Sequence, residues 1–191
     1  MLESPNLTPD ETKQLLDNID NLEHKTAIQL GLDLGCRVGE IVTIPNVPEF
    51  STVIQILDSK AQNEVKRKGK TKRTPYRQCV ITTQTLNLIK MFQDSIKDKR
   101  KFLFPYHERT LNRWIKFYCE KARIKRKKGN LIRWHILRHT YIQNAIERKV
   151  PLKQVSDQTG DSIFTLLRYY NNYTLDARQQ MVEKTSVIHP T

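Results

Sequence analysis

Six basic residues in eight, Lys66-Arg67-Lys68-Gly69-Lys70-Thr71-Lys72-Arg73, lie between two β-branched-rich runs, Thr52–Leu57 and Tyr76–Thr82. Charge this dense cannot enter a core, so the segment reads as the solvent-facing turn of an antiparallel hairpin. The rest of the core must then come from helices, and the apolar spacing agrees. Thr8-Pro9-Asp10-Glu11 has a capping threonine, a proline suited to the first helical position and a glutamate placed to complete a capping box. Leu15, Leu16, Ile19 and Leu22 give that helix an apolar face. A second helix runs through Ala27-Ile28-Gln29-Leu30 to about Leu34, with Gly35 able to close it in a left-handed conformation, which leaves Arg37 at a helix junction. Pro45 and Pro48 end the segment that follows. Helical spacing returns with Leu86, Ile89, Met91, Phe92 and Ile96, and again with Leu111, Trp114, Ile115 and Tyr118. Phe102-Leu103-Phe104-Pro105 reads as a short buried link between these two helices. A further helix should span about Arg133 to Lys149; Pro151 can open the next and Gly160 close it, and a last helix begins near Ser162 and carries Tyr170. The expected fold class is mainly α with a small antiparallel β-sheet, an α+β domain.

At 191 residues one compact domain is expected. Lysine and arginine number 33 against 20 acids, a formal charge of +13, and the sequence pI is about 9.8. That balance is the footprint of a polyanion binder. A second cluster, residues 121–128, again places six basic residues in eight, while residues 1–24 lean acidic. Nucleic acid fits this pattern better than a membrane surface, because no basic amphipathic helix and no long apolar run appears. The opening residues carry no secretion signal. Cys36, Cys79 and Cys119 are well separated and form no CxxC pair, which suits a reducing, cytoplasmic compartment and argues against a disulfide framework or a structural zinc site.

Chemistry concentrates in the last third. His135-Ile136-Leu137-Arg138-His139-Thr140 is followed, 32 positions after Arg138, by Tyr170 within Arg168-Tyr169-Tyr170. Breaking a phosphodiester without a metal needs a nucleophile, positive donors around a phosphorane-like transition state, and an acid for the leaving 5′ oxygen. Arginine suits the donor role because its planar fork can engage two phosphate oxygens. His135 and Arg138, three apart, share one helix face and could grip one phosphate together, with His139 one residue further round. Each residue alone has an ordinary reading: Arg37 as a helix-junction bridge, His135 as a core histidine beside Trp134, and Tyr170 as packing three and four positions after Leu167 and Leu166. Taken jointly and in order, these ordinary readings lose their weight.

These residues resemble the tyrosine recombinases, or phage-type integrases, over roughly residues 8 to 185. Leu34-Gly35-Cys36-Arg37-Val38-Gly39-Glu40-Ile41 is similar to the family's first-arginine box, and His135-x-x-Arg138-His139-Thr140 to its second. The resemblance implies that Arg37 and Arg138 bind the scissile phosphate, that His135 is the acid/base, and that Tyr170 is the nucleophile forming a 3′-phosphotyrosine link to DNA. Tyr169 and Tyr173 crowd the same stretch as rivals for that role. The family's catalytic lysine sits on a β-hairpin, where Lys68 matches best; Lys60, Lys66, Lys70 and Lys72 share the hairpin. Nine residues before its tyrosine the family usually has histidine or tryptophan, and this chain has Asp161. An ionised aspartate cannot donate a hydrogen bond and repels phosphate, so it should turn away, pair with a base such as Arg168, or lower activity. His107 and His139 are the candidates to replace the missing donor.

The resemblance implies a tyrosine recombinase catalytic-domain fold with a core over about residues 8–170. The tail, 171–191, could be passed between protomers. The family's N-terminal DNA-clamping domain is expected to be absent from this chain. The implied activity is site-specific cleavage and rejoining of double-stranded DNA by two transesterifications, with no cofactor and no metal. The implied assembly is a homotetramer on paired DNA sites and a monomer without DNA. Lys66, Arg67, Lys70, Lys72, Arg73, Lys125, Arg126, Lys127 and Lys128 are the expected DNA contacts. A type IB topoisomerase-like nicking and closing enzyme, and a non-catalytic DNA-binding module of the same fold, are the two rival readings.

Overall fold

A computed structural model describes residues 6–58, 76–126 and 132–170, and for 168–170 the backbone only. Lys60, the basic run 66–73, Lys127, Lys128, Tyr173 and the tail 171–191 therefore lie outside the described residues.

The first helix, α1 (Pro9–Asp17), begins as its sequence dictates. The Thr8 hydroxyl accepts from the Glu11 N–H at 3.1 Å while the Glu11 carboxylate accepts from the Thr8 N–H at 2.9 Å, so two otherwise orphaned donors are satisfied in one turn. Helix α2 (Leu22–Leu34) ends at Gly35, which adopts φ 56°, ψ 26°. A Cβ there would meet the Tyr141 ring at 2.6 Å, so both conformation and space require glycine. The chain then turns through Arg37 into the short α3 (Val38–Ile41).

Strands β1 (Val53–Leu57) and β2 (Tyr76–Val80) pair antiparallel, with Val53 opposite Val80 and Leu57 opposite Tyr76. Ile54, Ile56 and Cys79 point inward, and the alternation leaves Val53 and Val80 exposed. Helices α4 (Thr83–Ser95) and α5 (Glu108–Lys121) follow, joined by a link in which Leu103 and Phe104 are buried and Phe102 bridges to Pro45. Three helices close the described chain: α6 (His135–Glu147), α7 (Leu152–Thr159) and α8 (Ile163–Tyr170). Gly160, at φ 73°, separates the last two.

The main core gathers Leu15, Leu30, Leu34, Ile56, Ile89, Phe104, Leu111, Ile115 and Trp134 from α1, α2, β1, α4, the link, α5 and the start of α6. Each such side chain contributes about 1.5 to 3 kcal/mol by leaving water. Gly31 lets α2 lie close against α6, since a Cβ there would stand 2.7 Å from both Leu137 and Trp134. A satellite cluster of Ile142, Ala145, Ile146, Val155 and Leu166 packs α6, α7 and α8 together. Among the described residues, no helix is long and apolar enough to cross a membrane.

Every expected element is present, with four local corrections. Helix α1 ends at Asp17, so Ile19 is buried beyond it and Leu22 opens α2, where the spacing puts both on the apolar face of the first helix. Met91 is 58% exposed rather than on the apolar face of α4, because it follows Ile89 by two positions and so lies well round the helix. Helix α6 is shorter at both ends than expected, and Lys149, at φ 59°, takes the left-handed turn after it that glycine usually supplies. Strand β2 stops at Val80, where the backbone turns toward the Thr82 cap of α4.

Candidate active site

The site is assembled by three junctions: the turn between α2 and α3, the first turns of α6, and the Gly160–Asp161 turn between α7 and α8. Arg37 enters from the first. Its backbone N–H donates to Glu40 at 2.9 Å and its guanidinium reaches the same carboxylate at 3.4 Å, so the short α3 is built around the arginine it follows. Glu40 is almost fully buried and is gripped from the other side by Arg77, whose two terminal nitrogens donate at 3.1 and 2.8 Å. Burial pushes the Glu40 carboxyl up, but the fork from Arg77 and the Arg37 N–H outweigh it and hold it below the usual carboxylate range. Arg77 also donates through Nε to the Gln158 carbonyl at 3.2 Å, and through Nη2 to the Cys36 sulfur at 3.4 Å. Arg77 thus holds the first junction against the third.

Arg138 enters from α6 and is 2% exposed. Its Nη1 donates to the Gly35 carbonyl at 2.5 Å and to the Thr159 carbonyl at 2.9 Å. Both carbonyls lie at helix C-termini, where the backbone dipole is negative and cations are favoured. Its Nη2 forms an ion pair with Asp161 at 2.5 Å. The other oxygen of Asp161 accepts from Arg37 Nη2 at 2.7 Å. One carboxylate, 7% exposed, therefore ties both arginines together.

His135 lies at the exposed start of α6, one turn from Arg138, and its ring centroid is 5.9 Å from that of His139. Partial desolvation, then the positive charges of Arg138 and Arg37, hold the His135 imidazole below its ordinary pKa. His139 is lowered by desolvation and by His135. An imidazole whose pKa is lowered in this way is mostly uncharged at neutral pH, and each would gain basicity beside an incoming anion.

Arg37, Arg138 and His135 are thus brought together as expected, and Asp161 joins them. Asp161 pairs with the two arginines themselves, where its sequence position suggested a pairing such as Arg168. His107 serves elsewhere, capping α5 through its Nδ1, which accepts from the Arg109 N–H at 3.1 Å. Arg126, expected among the DNA contacts, is engaged internally. Its guanidinium spans both Glu11 oxygens at 2.7 and 2.9 Å and the Asn6 carbonyl at 3.0 Å, which pins the second basic cluster to α1. Lys125 beside it is exposed. Tyr170 ends α8; its side chain and Lys68 lie outside the described residues.

Two contributors went unread in the sequence. Arg77 had a signal: it shares strand parity with the inward Cys79, so an arginine there had to be buried and paired. Gln158 had none, since its role exists only once α7 meets β2. Among the described residues no cluster of histidine, cysteine or acidic side chains is arranged to hold a metal ion.

Known proteins resemble this chain in sequence and in fold. Residues 5–175 match the profile of the phage integrase family. The chain is 24% identical over 189 residues to the tyrosine recombinase XerA of Pyrococcus horikoshii, covering 95% of this chain and 61% of that protein. It is 27% identical over 172 residues to a tyrosine recombinase of Thermosipho africanus, covering 86% and 56%. The chain thus spans about three-fifths of the length of these curated relatives. Among solved structures, XerA recombinase superposes with a TM-score of 0.74 at 17% identity, over 99% of this chain and 67% of that one. The catalytic domain of bacteriophage HP1 integrase gives 0.63 at 20% identity over 99% of both chains. Tn1549 transposon integrase in complex with circular intermediate DNA gives 0.73 at 16% identity, covering 97% and 68%. At these identities the structural likeness speaks for the fold alone.

Proposed function

Because the chain belongs to the phage integrase family, we propose that it is a catalytic domain that cuts and rejoins double-stranded DNA through a covalent 3′-phosphotyrosine. One observation carries this reading. Arg37 and Arg138, drawn from two distant parts of the sequence, meet on a single buried carboxylate, as two guanidinium groups would hold an oxyanion, and His135 lies near enough to feel both of their charges.

In the proposed reaction the Tyr170 phenol attacks the scissile phosphorus, and the bond to the 5′ oxygen breaks as the phosphotyrosine bond forms. Arg37 and Arg138 balance the charge that builds on the non-bridging oxygens. Neutral His135 takes the phenolic proton, and Lys68 from the basic hairpin protonates the leaving 5′ oxygen. The second transesterification runs the same steps backwards with a new 5′ hydroxyl. Bond energy is conserved in the protein–DNA link, so the scheme calls for no cofactor.

Lys66, Arg67, Lys70, Lys72, Arg73, Lys125, Lys127 and Lys128 are the proposed backbone contacts, and Arg126 is withdrawn to a structural role. Structural neighbours solved in complex with DNA support DNA as partner. A tetramer on paired sites, an exchanged 171–191 tail and a reducing compartment, on the nucleoid, complete the reading. The test is a nicked duplex that traps the covalent adduct, followed by peptide mapping. The adduct is expected in the wild type, in Tyr169→Phe and in Tyr173→Phe, and is expected to vanish in Tyr170→Phe. A label on Tyr169 or Tyr173 would reassign the nucleophile.

Asp161 favours one second reading, a DNA-binding module of the same fold without catalysis, since it neutralises the arginines that the reaction needs. Binding without any adduct on the nicked duplex, from protein verified as folded, would select that reading.

A further inference from the structure

We propose that Asp161 is a built-in substitute for the DNA phosphate: in the DNA-free protein its carboxylate occupies the arginine cradle, and DNA binds by displacing that contact. The inference rests on the reading that Arg37 and Arg138 hold a phosphate. Each carboxylate oxygen takes one guanidinium, Oδ1 from Arg37 Nη2 at 2.7 Å and Oδ2 from Arg138 Nη2 at 2.5 Å. Two oxygens, each engaging a separate arginine, are what a phosphodiester would also present.

Neither partner is free to step aside cheaply. Asp161 is fixed through its own backbone, its carbonyl accepting from the Ser156 hydroxyl at 2.7 Å and its N–H donating to the Thr159 hydroxyl at 3.3 Å. Gly160 before it takes the left-handed conformation, with the Arg77 guanidinium where a Cβ would reach 3.0 Å. Arg138 is anchored by the Gly35 and Thr159 carbonyls, and Arg37 by the Glu40 that Arg77 holds. The cradle is therefore rigid and already filled by an anion. A phosphate entering it meets a like charge within hydrogen-bonding reach of the same two donors, which weakens binding. The same carboxylate keeps two largely buried arginines compensated while DNA is absent. Asp161 thus holds the arginines assembled at the cost of affinity.

Two effects of opposite sign follow for Asp161→Asn, which keeps the shape and removes the charge. Affinity for a nicked duplex, measured by fluorescence anisotropy at fixed ionic strength, should rise by roughly tenfold, the size expected for one like charge in a partly screened site. The melting temperature without DNA should fall. Arg37→Ala, measured in parallel, should bind more weakly. Weaker binding by Arg37→Ala with unchanged or weaker binding by Asp161→Asn would overturn the substitute and leave the phosphate site standing. Unchanged binding by Arg37→Ala would remove the phosphate site and the inference with it. If Asp161→Asn does not fold, Asp161→His, whose imidazole can donate to a phosphate, is read by the same anisotropy criterion.

Discussion

Each arginine of the cluster is used down to individual nitrogens. Arg138 places one nitrogen on two carbonyls and another on Asp161, a division that a single ammonium cannot reproduce. Arg138→Lys should therefore cost about 3 kcal/mol of stability, through the lost charge-assisted hydrogen bonds. It should abolish adduct formation although the formal charge is kept; thermal unfolding and the nicked-duplex assay check the two parts. The histidines supply a pH dependence. His24, His135 and His139 all sit below their ordinary pKa in the folded protein, desolvation being the first cause in each. Unfolded, they take up protons at higher pH than they do folded, so the unfolded state binds more protons as pH falls below about 6.5. Stability present above that pH should decline from about pH 7 toward 5, and denaturant titrations across that range would show it. Arg37, His135 and Arg138 could be singled out in the sequence because their spacing and order resemble the arginine boxes of the tyrosine recombinases. The Asp161 pairing was not, because residues 37, 138 and 161 become neighbours only through tertiary packing.

At the scale of elements, the junctions are held by side chains that imitate backbone pairing. Gln158, in the last turn of α7, donates to the Val80 carbonyl at 2.7 Å and accepts from the Val80 N–H at 3.0 Å, as a neighbouring strand would. It also reaches the Asp33 carbonyl at 3.2 Å, so one amide joins β2, α7 and the end of α2. Gln158→Ala should lower stability by about 1 to 3 kcal/mol and speed hydrogen exchange at Val80 more than at amides in the main core. Gly35 is the matching constraint on α2. Gly35→Ala should lose at least about 1 kcal/mol to the left-handed backbone, and more because the added carbon would strike Tyr141. Thermal denaturation gives both magnitudes. Element types and order could be read from periodicity, proline and glycine. Strand and helix ends could not, because local fits such as the Lys149 turn decide them.

For the whole molecule, the proposed reading gives a net charge of +13 and two basic clusters the task of steering the approach to DNA. If the clusters contact phosphates, the logarithm of affinity should fall steeply with the logarithm of salt concentration, by roughly 0.9 per phosphate neutralised. Lys125→Ala should reduce that slope, whereas Arg126→Ala should chiefly reduce stability, because Arg126 is engaged by Glu11 and Asn6. The pairing of Arg126 was not legible for a general reason: composition counts charges, and only packing shows which are already paired. Two guanidinium groups, gathered from distant parts of the chain, are proposed to hold one DNA phosphate, and the rest of the mechanism depends on that grip. A structure of the protein bound to a nicked duplex tests it most directly. The expected result is a phosphate oxygen within hydrogen-bond distance of both Arg37 and Arg138, with Asp161 drawn away from at least one of them. Finding DNA seated elsewhere, with both arginines still closed on Asp161, would contradict it.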